Sequence, residues 1–146
     1  MPYLPAGFEV PPFLPHELGF AEGCRVRELR LQRCTHCGRF RQPPAPRCAH
    51  CRSNRADWTA VSGRGEIFTF TIVRHAANPV LREALPYNVI VVLLEGTEGV
   101  RLVSNLIDSP PEQIRIGQRV LLHWDLRGAM PLPCFQLDPD PKVTHG

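Results

Sequence analysis

Two cysteine pairs constrain this chain more than any other feature. Cys34 and Cys37 form one Cys-x-x-Cys unit and Cys48 and Cys51 a second, ten residues on, in "RCTHCGRFRQPPAPRCAHC". A pair followed by a tight turn makes a knuckle whose two thiolates face one tetrahedral cation, and two knuckles complete a shell of four sulfurs. Gly38, directly after the first pair, suits that turn. "QPPAP" is a stiff connector that carries the chain to the second pair. The expected cofactor is one structural Zn(II). An iron centre of the rubredoxin type uses similar pairs and is the alternative. Four protein sulfurs leave no position for water or substrate, so Lewis-acid or hydroxide chemistry is not expected at this metal. A thioredoxin-like role would need a single Cys-x-x-Cys on a βαβ background, a pattern this chain lacks. Zinc should be essential to the segment, because about 35 residues bury too little apolar surface to fold alone.

The surroundings of the pairs are basic. Residues 25–55 carry nine arginines against one acid, Glu28, while residues 1–24 contribute −3 and residues 65–146 contribute −2. Lysine is almost absent from the whole chain, so a general preference for Arg accounts for much of this. The clustering still places forked donors where a phosphate or carboxylate could be gripped.

Three zones follow along the chain. Residues 1–28 are Pro-rich and then hold Leu14, Leu18 and Phe20 at spacings of a short amphipathic helix, with Gly23 expected to break it. Residues 29–61 form the ribbon, entered by a partly alternating strand in "VRELRLQRC". Residues 62–138 are strand-rich. "GEIFTFTIVRH" alternates, "PYNVIVVLLEG" and "GVRLVSNLI" form a hairpin across "EGTEG", and "RVLLHWDL" and "CFQLD" follow after a turn at "DSPPEQ". Five strands in about 75 residues, with no helix long enough to cover a sheet, favour a closed five-stranded OB-type barrel over a sandwich fragment. Residues 139–146 are a flexible tail. The fold class is therefore mainly β.

No window reaches the roughly 20 apolar residues that cross a bilayer. The N-terminus lacks the basic and apolar regions of a secretory signal, so a cytoplasmic location is expected, where the cysteines are ligands or free thiols rather than disulfides. Cys24 and Cys134 have no neighbouring base and read as buried thiols. His36 and His50 should face solvent from the knuckles, and His75 and His123 read as structural. Neither a phosphate-cradling Gly-rich loop nor a nucleophile elbow is legible, and no set of catalytic residues is assigned.

The order of parts resembles one known family. "LRLQRCTHCGRFRQPPAPRCAHC", "WTAVSGRGEIFTFTIVRH", "LPYNVIVVLLEGTEGVRLVSNLI", "IRIGQRVLLHW" and "LPCFQL" are similar to acyl-CoA-associated proteins with an N-terminal helical segment, a rubredoxin-like zinc ribbon and a C-terminal OB-fold. The resemblance spans roughly residues 12–138. It implies zinc ligands at Cys34, Cys37, Cys48 and Cys51. It also implies a non-catalytic accessory subunit, with a thiolase-like enzyme as the leading partner and an aldolase or a hydratase as the others, and with reactive residues in the large subunit. The resemblance implies, for the thiolase-like partner, making or cleaving of a C–C bond in an acyl-CoA, including aromatic and steroid ones. The N-terminal segment departs from the family, since "PFLPHELGFAEG" lacks the Phe-Trp that many members carry at the helix start.

Zinc ribbons and OB-folds also occur in nucleic-acid machinery, which is the alternative function. Strands that bind single-stranded nucleic acid present aromatics for base stacking. "NVIVVLLE" and "VRLVSNLI" have none beyond the flanking Tyr87, and the barrel half is slightly acidic, so nucleic acid is disfavoured. The polyphosphorylated end of coenzyme A suits forked guanidiniums, which makes Arg39, Arg41, Arg47, Arg52 and Arg55 candidates for holding CoA or an acidic partner surface. Phe13, Leu14, Leu18 and Phe20, with the long connection at residues 74–87, are the candidates for partner contact.

Overall fold

The structure is a computed structural model and describes residues 4–6 and 8–140; residues 141–146 of the expected tail lie outside the described residues. A 3-10 turn, Pro15–Glu17, leads into helix α1, Leu18–Arg25. The Glu17 carboxylate accepts from the Leu14 N–H at 2.8 Å, which satisfies a donor that a helix start would leave free.

Gly23 does not break this helix. It lies within α1 and is buried, and a side chain there would place its Cβ 2.6 Å from the Glu28 carbonyl oxygen. The missing Cβ lets the chain fold back closely over the helix end. The ending is a Schellman arrangement: Glu28 N–H donates to the Gly23 carbonyl at 2.8 Å and Arg27 N–H to the Cys24 carbonyl at 3.0 Å. Arg27 takes the left-handed position usually given to glycine, at φ 58°.

The ribbon is a three-stranded antiparallel sheet of β1 (Arg30–Cys34), β2 (Phe40–Arg41) and β3 (Ala56–Ala60), with β1 in the centre. The expected strand ahead of the cysteines is thus present but starts at Arg30. Helix α1 rests on β3 through one close approach. A Cβ on Gly19 would stand 2.1 Å from the Trp58 indole, so only glycine lets the helix lie on that ring.

The second sheet holds β4 (Arg64–Val73), β5 (Tyr87–Leu94), β6 (Arg101–Ser104), β7 (Arg119–Asp125) and β8 (Leu132–Leu137), in the order β6-β5-β4-β7-β8. A register shift between Ile67 and Thr69 bends β4, so its first residues pair with β7 while it follows β5 along its length. The chain leaving β6 then runs parallel to β8: Leu106 bridges Phe135, Phe135 N–H donates to the Asn105 carbonyl at 2.9 Å, and Ile107 N–H donates to the Phe135 carbonyl at 2.8 Å. That parallel contact closes the barrel in the manner of an OB-fold.

Ile67, Ile90, Val92, Leu102, Leu106, Ile114, Val120 and Phe135 fill the interior, and Leu29 and Leu31 of the ribbon belong to the same buried cluster. Ribbon and barrel share one core. The 74–87 connection carries a 3-10 turn, Pro79–Ala84, started by the Asn78 side chain accepting from Val80 N–H at 3.0 Å. No helix among the described residues is long and apolar enough to cross a membrane.

Candidate metal centre

The sulfur atoms of Cys34, Cys37, Cys48 and Cys51 all lie within 4.8 Å of one another. Two of the separations, Cys34 to Cys51 and Cys37 to Cys48, are 3.6 Å. A tetrahedron built on the usual Zn–S bond of about 2.3 Å has edges of about 3.8 Å, so the cluster has the size of a zinc tetrathiolate. Among the described residues this is the single group of three or more His, Cys, Asp or Glu side chains whose donor atoms converge.

The knuckles are built by the same local hydrogen bonds. Cys34 N–H donates to the Arg39 carbonyl at 2.8 Å and Gly38 N–H to the Cys34 carbonyl at 2.9 Å. In the second knuckle Cys48 N–H donates to the Ser53 carbonyl and Arg52 N–H to the Cys48 carbonyl, both at 2.9 Å. Gly38 and Arg52 occupy equivalent turns with φ of 78° and 64°. The sequence signals the first through its glycine; an arginine gives no such signal for the second.

Backbone N–H groups also set the sulfurs' chemistry. The Cys37 N–H points at the Cys34 sulfur from 3.5 Å and holds that thiol down at about 6, with burial opposing and the His36 N–H assisting. Cys48 is lowered in the same way by the N–H groups of Cys51 and His50. At Cys51 the Ser53 N–H pulls downward, but burial and the sulfurs of Cys34, Cys48 and Cys37 outweigh it and lift the thiol to about 11. Four sulfurs this close cannot all ionise without a cation among them. The donor set, its size and its charge fit structural zinc, with every position of the tetrahedron taken by sulfur.

The five candidate arginines divide. Arg39, Arg47, Arg52 and Arg55 are exposed. Arg41 is buried, at 6% exposure, and its guanidinium donates inward to the Ala45 carbonyl at 2.9 Å and the Arg55 carbonyl at 3.3 Å. It is therefore withdrawn from any external anion. The N-terminal candidates divide as well. Leu14 and Leu18 are 54% and 47% exposed, Phe13 is half-buried, and Phe20 packs against the core.

His36, His50, His75 and His123 are all exposed. Cys24 and Cys134 are buried, and burial raises each thiol to about 11, so both stay protonated near neutrality.

One surface escaped the sequence reading. Residues paired across antiparallel strands share a face, so Thr69, Val91 and Val103 form one outward row, Glu66, Leu93 and Arg101 a second, and Thr71 and Val89 a third. Val103 is 67% exposed, and Phe68, 41% exposed, carries the Arg101 guanidinium 4.1 Å above its ring. Antiparallel strands with one wet face normally alternate apolar and polar, yet β5 is aliphatic on both faces from Val89 to Leu94. The available signal was the unbroken apolar run "VIVVLL".

Residues 21–55 match the family described as ChsH2, rubredoxin-like zinc ribbon domain, and residues 58–125 match ChsH2, C-terminal OB-fold domain. A probable enoyl-CoA hydratase alpha subunit of Thermomonospora curvata is 36% identical over 123 residues, covering 84% of this chain and 34% of that protein. The 3-oxo-4,17-pregnadiene-20-carboxyl-CoA hydratase alpha subunit of Mycobacterium tuberculosis is 34% identical over 101 residues, covering 69% of this chain and 31% of that protein. The chain thus spans about a third of the length of these two relatives. A solved structure described as an Ltp2-ChsH2(DUF35) aldolase superposes with a TM-score of 0.78 at 34% identity, over 88% of this chain and 98% of that one. With both domain matches in order along the chain and a solved relative covered nearly end to end, this protein belongs to the ChsH2/DUF35 family of zinc-ribbon and OB-fold proteins.

Proposed function

We propose that this chain is a non-catalytic accessory subunit of an acyl-CoA-processing complex. Cys34, Cys37, Cys48 and Cys51 bind one structural zinc, and the reacting groups belong to a separate, larger chain. The observation that carries this reading is the closed four-sulfur cluster, the single convergent donor set among the described residues, on a chain similar in sequence to acyl-CoA hydratase alpha subunits and in structure to an aldolase component. The partner is an enzyme that breaks or makes a bond beside the acyl thioester, a class wider than the thiolase-like enzyme expected from sequence. The steroid-derived substrate in one relative's name supports a bulky acyl-CoA over a short one.

The partner docks on the exposed apolar residues of the N-terminal segment, Leu14 and Leu18, and on the outward aliphatic residues Val89, Val91, Leu93 and Val103 of β5 and β6. The exposed Arg39, Arg47, Arg52 and Arg55 supply forked donors for carboxylates of the partner or phosphates of CoA. The outward residues of β5 and β6, Val89, Val91, Leu93 and Val103, offer no rings for base stacking, and the one exposed ring beside them, Phe68, is covered by the Arg101 guanidinium, which weighs against a nucleic-acid role.

Co-expression with an aldolase or hydratase chain encoded beside it tests this reading. The two proteins should co-purify at fixed stoichiometry, with acyl-CoA turnover requiring both, and Val91→Glu or Val103→Glu should abolish assembly while the single chain still folds. Turnover by this chain alone, or tight binding of an oligonucleotide with none of acyl-CoA or partner, contradicts it.

A further inference from the structure

Arg41 is the one candidate arginine of the ribbon whose charge lies inside the protein. Its residue is 6% exposed, its Nε has no hydrogen-bond partner, and its two bonded nitrogens meet carbonyl oxygens, not a carboxylate. The ion pairs Arg30–Glu28, Arg119–Glu95 and Arg127–Asp125 do not include it. The sole acid between residues 29 and 61 is Asp57, which is exposed and pairs opposite Arg33 on the far side of β1. None of these ion pairs supplies Arg41 with a carboxylate, and a buried cation is disfavoured unless an anionic group lies near it.

The ribbon contains one such group. Zinc held by four thiolates is a dianion, and the Arg41 guanidinium lies between segments that lead into both knuckles. Ala45, its first acceptor, stands just ahead of Cys48. Arg55, its second, receives the N–H of Thr35, next to Cys34, at 3.2 Å. Arg41 and Cys48 line the same cavity. Gln32, opposite Arg41 in the sheet register, fixes the connector by accepting from the Ala45 N–H at 2.9 Å.

We propose that Arg41 is the internal counter-ion of the zinc tetrathiolate, a positioning residue that offsets the centre's negative charge. Its charge serves the metal, and its fork fixes the two carbonyls that flank the knuckles. The inference rests on the zinc reading above. It removes Arg41 from the surface that grips external anions and leaves that task to its exposed neighbours.

The test compares wild type with Arg41→Met and Arg41→Gln, which lose the charge, and Arg41→Lys, which keeps the charge and loses the fork. Zinc content of the wild type comes first: one ion per chain is required, and its absence would remove the zinc reading itself. The rate of zinc transfer to the chelator 4-(2-pyridylazo)resorcinol is then measured. The neutral variants should release zinc about tenfold faster or more, with Lys staying within about threefold of wild type. The sulfur-to-metal charge-transfer band of the Co(II)-loaded protein should shift in the neutral variants and not in Lys. Equal release by Lys and Met overturns the proposal, because the carbonyl bonds would then be the whole effect. Wild-type rates in Met and Gln overturn it too. If the neutral variants fail to fold, a zinc-loaded Lys variant supports the role of charge, and a Lys variant that also fails contradicts it.

Discussion

Asp125, at the end of β7, illustrates what a single residue contributes to the barrel rim. Its carboxylate receives Arg127 Nε at Oδ1 and Arg127 Nη2 at Oδ2, both at 3.0 Å, and the Arg127 N–H at 3.1 Å. The Arg127 side-chain bonds hold the Asp125 pKa below the usual carboxylate value, against a smaller opposing effect of burial. A carboxyl group whose folded-state pKa is depressed stabilises the fold above its unfolded value, about 3.9, and loses that contribution as pH falls through the folded value. Asp125→Asn should therefore lower the melting temperature at pH 7, and the gap to wild type should close as the pH is taken from about 5 toward 2. Melting curves across that range read the effect; a gap that persists at the acid end would show that packing, not charge, holds the corner. Single residues also mark where the sequence was hardest to read. Arg27 and Arg52 hold left-handed turns that glycine usually marks, so the end of α1 and the second knuckle carried no local signal.

At the scale of elements, the cysteine pairs and the hairpin across "EGTEG" were legible because their geometry is set by neighbours in sequence. The course of α1 was not. Gly23 looked like a helix breaker and is a close-approach residue, and that distinction depends on Glu28 returning over it. Closure of the barrel through Leu106 and Phe135 was equally hidden, since residues so far apart in the chain share no pattern. The seating of α1 gives a direct prediction. Gly19→Ala places a methyl inside the Trp58 ring, so the helix must lift or the indole must turn. Overpacking of this kind costs typically about 1–3 kcal/mol. Chemical denaturation should show a loss of that size together with a shift in Trp58 fluorescence. Unchanged stability and emission would mean that the helix is not held there.

The whole molecule combines a metal-braced ribbon and a barrel on one core, because Leu29 and Leu31 pack with Ile67, Ile90 and Phe135. Leu18 of α1 and the outward residues of β5 and β6 thus stand on elements that share this core, which suits the proposed assembly with a catalytic chain. This was only half visible in the sequence. The alternation in "IFTFTIV" betrayed a half-buried strand, whereas "VIVVLL" reads the same for a strand buried on both faces and for one that leaves an aliphatic face uncovered. A metal that takes part in folding and has no room for a substrate is what makes this chain an accessory subunit. Zinc K-edge X-ray absorption on the purified chain, with and without octanoyl-CoA, measures this most directly. A closed tetrathiolate should give a shell of sulfur alone at about 2.3 Å, unchanged by the acyl-CoA. An oxygen or nitrogen neighbour at about 2.0–2.2 Å, or a shell that alters when the acyl-CoA is added, would contradict it.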